Sequence, residues 1–157
     1  MLSKNKIVVT GGNGRFGKIL RQNVGSNYFF PKKNELNILN TKSIIKYFKK
    51  VKPKYLIHLA GLSRPMILHE KDIKKSIKLN IIGTANIVIA CEQFNIKLIY
   101  FSSSYVYPGN KGNYKETDAL LPINNYAWSK LGAECAAQMY KNSLILRVSM
   151  TEEPFIH

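Results

Sequence analysis

Acidic residues are scarce in this chain: nine Asp and Glu stand against 24 Lys and Arg in 157 residues, for a formal charge of +15. Such an excess raises nucleic-acid binding as a function class. The lysines, however, are dispersed as Lys32-Lys33, Lys49-Lys50 and Lys74-Lys75 on expected polar helix faces, in a chain rich in Asn and Ile. The expected reading is a solvated basic surface that helps gather anionic nucleotides, with nucleic acid not a partner. Cysteine is also scarce. Cys91 and Cys135 fall in separate helical patterns without metal-ligand spacing, so no metal is expected, and both are expected to be buried, reduced thiols. No apolar run approaches the roughly 20 residues of a membrane span. The first strand begins within about six residues of the N-terminus, which leaves no room for a signal peptide. A cytoplasmic protein without a membrane segment is expected.

What the chain does contain is an alternation of short apolar runs and amphipathic helices, over a length suited to one domain. This predicts an α/β fold, a doubly wound parallel sheet of Rossmann type. Strands are expected over 6–10, 28–30, 55–60, 97–101 and 143–148. Helices are expected over 14–24, from Thr41 as N-cap to Pro53, over 71–94 and over 125–140. The second helix carries Ile44, Ile45, Phe48 and Val51 on one face. The third carries Ile73, Ile77, Ile81, Ala85, Val88 and Ile89 as its expected buried stripe. The sheet is expected to stop after about its fifth strand, with residues 1–157 forming the nucleotide-binding domain and a C-terminal substrate lobe absent. An unpaired sheet edge at that point predicts a dimer or a complementing C-terminal chain.

Three features carry chemistry. Thr10-Gly11-Gly12-Asn13-Gly14-Arg15-Phe16-Gly17 follows the apolar run Ile7-Val8-Val9. Glycines there let the backbone turn and approach a pyrophosphate, while the following helix N-terminus favours its charge. Tyr126 and Lys130 stand four apart at a helix start, so they share a face. A phenol beside an ammonium has a lowered pKa and can exchange a proton with a substrate oxygen. Ser102-Ser103-Ser104 closes the fourth strand, at the carboxyl end where open parallel sheets place their ligands.

In this order and on these elements, the three features resemble the extended short-chain dehydrogenase/reductase family, the NAD-dependent epimerase/dehydratase group. His58-Leu59-Ala60-Gly61-Leu62 is similar to the family's third-strand motif, and Asn80-Ile81-Ile82-Gly83-Thr84 to its central-helix Asn-x-x-Gly-Thr. The resemblance implies a cofactor site made of Gly11, Gly12, Asn13, Gly14, Arg15, Phe16, Gly17, Leu59, Ala60, Gly61, Asn80 and Ser102. Tyr126 would be the general acid/base, and Lys130 would bind the nicotinamide ribose and lower the Tyr126 pKa. Matching Val106-Tyr107 to relatives puts the carbonyl-polarising residue at Ser103, with Ser102 and Ser104 as alternatives.

The stretch Glu35-Leu36-Asn37-Ile38-Leu39-Asn40 resembles that of dTDP-4-dehydrorhamnose reductases, which implies an adenine contact at Asn37 and Ile38; that family has Asp where Asn37 stands. Ser103-Ser104-Tyr105 lacks the Thr-Asp-Glu triplet of nucleotide-sugar 4,6-dehydratases. The resemblance therefore implies an NAD(P)-dependent reductase or epimerase of a nucleotide-linked sugar, in surface-polysaccharide precursor synthesis. The alternative is a non-catalytic dinucleotide-binding domain, or half of a split enzyme. No acid is placed after the second strand to read the ribose 2′-hydroxyl of NAD, whereas Lys32 and Lys33 lie near it, which favours NADP over NAD.

Overall fold

The apolar runs pair into one sheet of five strands: β1 (Ile7–Thr10), β2 (Tyr28–Phe29), β3 (Tyr55–His58), β4 (Lys97–Ser103) and β5 (Ser143–Val148). Their spatial order is β2-β1-β3-β4-β5 and every pair is parallel. This computed structural model describes residues 5–149. The register sets Val8 beside Leu56 and Leu56 beside Leu98. These three side chains are fully buried in one cluster with Ile44, Phe48 and Ile87. Near-continuous apolar strands are what a parallel sheet covered on both faces requires.

The helices are α1 (Arg15–Asn23), α2 (Thr41–Val51), α3 (Ile67–Lys71), α4 (Ile73–Ser76), α5 (Gly83–Gln93) and α6 (Asn125–Gln138). The N-cap of α2 is Asn40, one residue before the expected Thr41: its side chain accepts the Ser43 N–H at 3.0 Å. The helix ends at Lys52, which takes a left-handed φ of 54° ahead of Pro53. Of its expected apolar face, Ile44, Phe48 and Val51 are buried and Ile45 is half-buried.

The single helix expected over 71–94 is interrupted. Asp72 leaves helical geometry and caps α4 through its carboxylate, which accepts the Lys75 N–H. A π-helical turn, Ile77–Ile82, then leads into α5. The expected buried stripe is met only in part: Val88 is buried, and Ile81 and Ala85 are half-buried. Ile73, Ile77 and Ile89 are exposed, while Ser76, Asn80, Thr84, Ile87, Val88 and Cys91 face inward. Polar residues occupy that face because each finds a partner there. Cys135 also departs from expectation: it is exposed on α6, whereas Cys91 is buried and its thiol is pushed up to about 12 by desolvation.

The inward polar residues tie the central strands together at their carboxyl ends. The imidazole of His58 lies 2.7 Å from the Thr10 hydroxyl through Nδ1 and 3.1 Å from the Thr84 hydroxyl through Nε2. The Thr10 hydroxyl also accepts the Ala60 N–H at 3.3 Å. Strands β1 and β3 and helix α5 are thereby joined around one fully buried ring. At the β5 edge of the sheet, Glu134 of α6 and Arg147 of β5 form a bidentate pair, with Arg147 also donating to the Tyr107 hydroxyl and the Glu116 carbonyl. Removing one partner of a buried pair strands the other charge. Among the described residues β5 is an edge strand, with β4 on one side.

Burial, reinforced by the Lys130 charge, lowers the His58 pKa from 6.5 to about 3. The unfolded chain takes up a proton below its ordinary histidine pKa while the folded chain does not. Folding stability therefore falls as pH drops from 6.5 towards 3, by up to about 1.4 kcal/mol per pH unit. His58→Gln is expected to be less stable than the parent at neutral pH and to lose stability less steeply on acidification. Urea unfolding between about pH 6 and about pH 4 checks this, and parallel slopes for the two proteins would contradict it.

Candidate functional site

The turn after β1 is built from close backbone contacts. Gly11 has φ +72°, and a Cβ there would lie 2.6 Å from the Ala60 nitrogen. The Gly14 N–H donates to the Gly11 carbonyl at 2.9 Å, and Gly14 is the N-cap of α1. A Cβ on Gly17 would lie 2.5 Å from the Gly11 carbonyl oxygen and 2.6 Å from the Gly12 Cα. The first turn of α1 thus presses directly on the loop, and the unshared N–H groups and dipole at the helix start favour an anion there. Arg21 reaches back over the loop, its guanidinium 4.8 Å from the Phe30 ring centroid and within 3.5 Å of the Gly12 carbonyl oxygen.

Beyond β3, the segment at Gly61 and Leu62 is held by Asn80. Its Oδ1 accepts the Leu62 N–H at 2.7 Å, while Nδ2 donates to the Leu62 carbonyl and to the Ser129 hydroxyl at 2.9 and 2.8 Å. One side chain on the π-helical turn therefore couples the end of β3 to α6. The Ser129 hydroxyl in turn donates to the Tyr126 carbonyl at 2.7 Å.

At the end of β4, Ser102 and Ser103 lie within the strand and Ser104 opens a 3₁₀ turn, Ser104–Val106. The Ser103 hydroxyl accepts the Tyr105 N–H at 3.3 Å, and it faces the Tyr126 phenol across the cavity, where it helps hold the phenol's pKa down. The Ser102 Oγ is buried without a protein partner. Asn124 caps α6 by accepting the Ala127 N–H at 2.8 Å, and this cap sets the direction in which Tyr126 leaves the first turn. Burial raises the Tyr126 pKa above 10, opposed by the Ser103 hydroxyl and the Arg64 charge.

Lys130 does not produce the expected lowering. Its ammonium donates to the Phe101 carbonyl at 2.6 Å and lies 4.4 Å from the Tyr100 ring centroid. Desolvation brings its pKa down to about 8, against the opposing pull of Glu134. Tyr105 adds to the rise at Tyr126, and the cation that opposes it is Arg64, in a segment without readable periodicity.

These elements enclose one cavity of about 550 Å³ at the carboxyl ends of the strands. Of the expected site residues, Gly11, Gly14, Arg15, Phe16, Gly17, Leu59, Ala60, Gly61, Ser102, Ser103, Tyr126 and Lys130 line it. Gly12 and Asn80 stand behind its wall as supports, and Asn13 is exposed on the loop. Asn37 and Ile38 are elsewhere. The Asn37 side chain accepts the Leu39 N–H at 3.0 Å, and Ile38 is buried against Gly83. The alternative Ser104 lines it too, with Phe101, Val148 and Ser149; Ser63, Arg64, Met66 and Tyr105 are further lining residues that were not singled out in the sequence. Tyr105 alone had a readable signal, its place two residues beyond Ser103.

Gly17→Ala forces a methyl group onto backbone atoms that cannot move independently of the loop. A cost of about 1–3 kcal/mol is expected, measured by urea unfolding. At Gly112, where an added Cβ meets nothing within 4 Å, the same substitution should change stability by no more than about 0.5 kcal/mol. Equal stabilities for the two variants would rule out the crowding described.

Comparison with known proteins follows this geometry. The model of the RmlD substrate binding domain matches residues 5–151. dTDP-4-dehydrorhamnose reductase of Aggregatibacter actinomycetemcomitans is 27% identical over 152 residues, covering 93% of this chain and 51% of that protein. Methionine adenosyltransferase 2 subunit beta of Pongo abelii is 26% identical over 145 residues, covering 86% of this chain and 43% of the relative. The solved dTDP-4-dehydrorhamnose reductase of Bacillus anthracis, in complex with NADP, superimposes with a TM-score of 0.87 at 28% identity, covering 92% of this chain and 53% of that one. The enzyme of the same name from Yersinia enterocolitica gives 0.84 at 30% identity, over 95% and 54%. The chain spans about half the length of the curated relatives it matches. With the family model covering almost all of its length, the chain belongs to the RmlD substrate binding domain family.

Proposed function

We propose that the chain is the dinucleotide-binding half of an NAD(P)-dependent reductase of a nucleotide-linked keto-sugar. The observation that carries this reading is the meeting, in one cavity, of a glycine cradle that excludes side chains with the Tyr126 phenol and the strand-end Ser103. The residues present fit a dinucleotide. The cradle would take the pyrophosphate, the Leu59, Ala60 and Gly61 backbone would flank it, and the orphaned Ser102 hydroxyl offers a polar contact on the cavity floor. The cofactor supplies the hydride.

The chain's own residues handle the proton and the oxygen. Tyr126, a phenol that burial holds further in its protonated form, donates the phenolic hydrogen to the sugar oxygen as charge develops there. Ser103 hydrogen-bonds the same oxygen and orients it. Lys130, in the cavity floor, is the cation for the ribose hydroxyls. NADP is favoured over NAD. The first acid after β2 in sequence, Glu35, accepts the Lys32 N–H at 2.8 Å, while Arg21 and the Lys32-Lys33 pair bring positive charge to that side of the loop.

The substrate lobe comes from outside the described residues, either as further chain or as a complementing partner, packed along the groove of about 660 Å³ at the β5 edge. A second reading, a dinucleotide-binding subunit without turnover, is favoured by the relatives named methionine adenosyltransferase 2 subunit beta.

Fluorescence titration with NADPH and NADH should show binding of both, tighter for NADPH, with Lys32→Ala and Lys33→Ala together narrowing the difference. Absence of binding at millimolar cofactor would refute both readings. Turnover of a 4-keto nucleotide sugar, lowered about 10²- to 10⁴-fold by Tyr126→Phe with cofactor binding retained, selects the reductase. Binding without turnover in the presence of the complementing half selects the subunit.

A further inference from the structure

The segment after β3 carries two residues for which the proposed chemistry assigns no role, His69 and Glu70. His69 on α3 is fully buried, its Nδ1 2.7 Å from the Ser76 hydroxyl. Its ring meets the Tyr126 ring edge-on, with centroids 5.1 Å apart and an interplanar angle of 68°. Tyr105 also meets the same phenol ring, at 6.2 Å and 85°. Tyr126 thus has two edge-on aromatic neighbours, each of which limits rotation about its side-chain torsions.

Glu70 acts on the backbone that carries Tyr126. Its carboxylate accepts the Asn125 N–H at 3.1 Å through Oε1 and the Asn125 Nδ2 at 2.6 Å through Oε2. Asn125 Nδ2 also reaches the His69 carbonyl at 3.4 Å. Asn125 is the first residue of α6, so its N–H has no partner within the helix, and a carboxylate there also complements the helix dipole. A five-residue helix far away in sequence therefore clamps the turn immediately before Tyr126.

We propose that His69 and Glu70 are positioning residues for Tyr126: His69 sets the plane of its ring, and Glu70 pins the helix start from which it projects. The inference rests on the acid/base reading of Tyr126 for its consequence in turnover, and on the packing alone for its consequence in structure. The two parts are tested separately.

The full chain labelled with 3-fluorotyrosine gives a fluorine spectrum in which Tyr126 is identified by the resonance missing from Tyr126→Phe. His69→Ala should move the Tyr126 resonance beyond its linewidth, and His69→Phe, which keeps an aromatic edge, should return it towards the parental position. Glu70→Ala, a change at an exposed side chain, should broaden the resonance, with Glu70→Gln restoring it in part because an acceptor oxygen remains. Ser143→Ala removes a hydrogen bond to the Ala137 carbonyl at the other end of α6 and should leave the resonance in place. An unmoved Tyr126 resonance in both alanine variants, or an equal displacement in Ser143→Ala, would overturn the clamp. Where the parent turns over a keto-sugar, both alanine variants should lower kcat about 10- to 100-fold with KM little changed. A parent without turnover in the presence of the complementing half would remove the acid/base reading and leave the spectrum to decide the positioning.

Discussion

The close approach of Gly11 to the backbone of Leu59 and Ala60 is the constraint on which the site depends. Two strand ends can come this near only where one has no side chain, and they stay near because Thr10, His58 and Thr84 share hydrogen bonds beside the contact. Burial of a neutral imidazole between two hydroxyls supplies directional bonds without a buried charge. The cost of this arrangement is conformational narrowness: the loop, the end of β3 and the start of α1 are fixed to one another by direct contacts.

A second polar junction extends these contacts towards the phenol. Asn80 joins the end of β3 to α6 through Ser129, and Glu70 and His69 join the segment after β3 to the start of α6. The cradle and Tyr126 are therefore related through side-chain hydrogen bonds, with no strand or helix running from one to the other. The π-helical turn has a function in this respect. It carries Asn80 inward between Ser76 and Thr84, which stand four residues to either side and are also buried.

Several elements were legible from residue pattern alone. The strands over 143–148 and the start of β4 follow directly from apolar runs, and α2 from the spacing of Ile44, Phe48 and Val51. The central helix was not. Its isoleucines at 73, 77 and 89 form an apolar stripe by spacing, yet they face solvent. Periodicity measures only transfer of apolar surface, whereas Ser76, Asn80 and Thr84 are drawn inward by partners far away in sequence. The environment of Lys130 was illegible for a similar reason. Four-residue spacing puts it on the Tyr126 face of α6, but its ammonium is taken by the Phe101 carbonyl and its pKa is lowered by burial.

The sequence by itself determined the parallel α/β architecture, the phosphate-loop glycines and the residue types that meet at the strand ends. Each of these is written in local spacing or in short motifs, because backbone freedom and amphipathic period are properties of neighbouring residues. Tertiary structure alone decided which serine meets the phenol, which cation acts on it, and that His69 and Glu70 hold it in place. Those outcomes depend on contacts between segments separated by tens of residues, where burial and hydrogen-bond competition select one partner among several that the spacing permits equally.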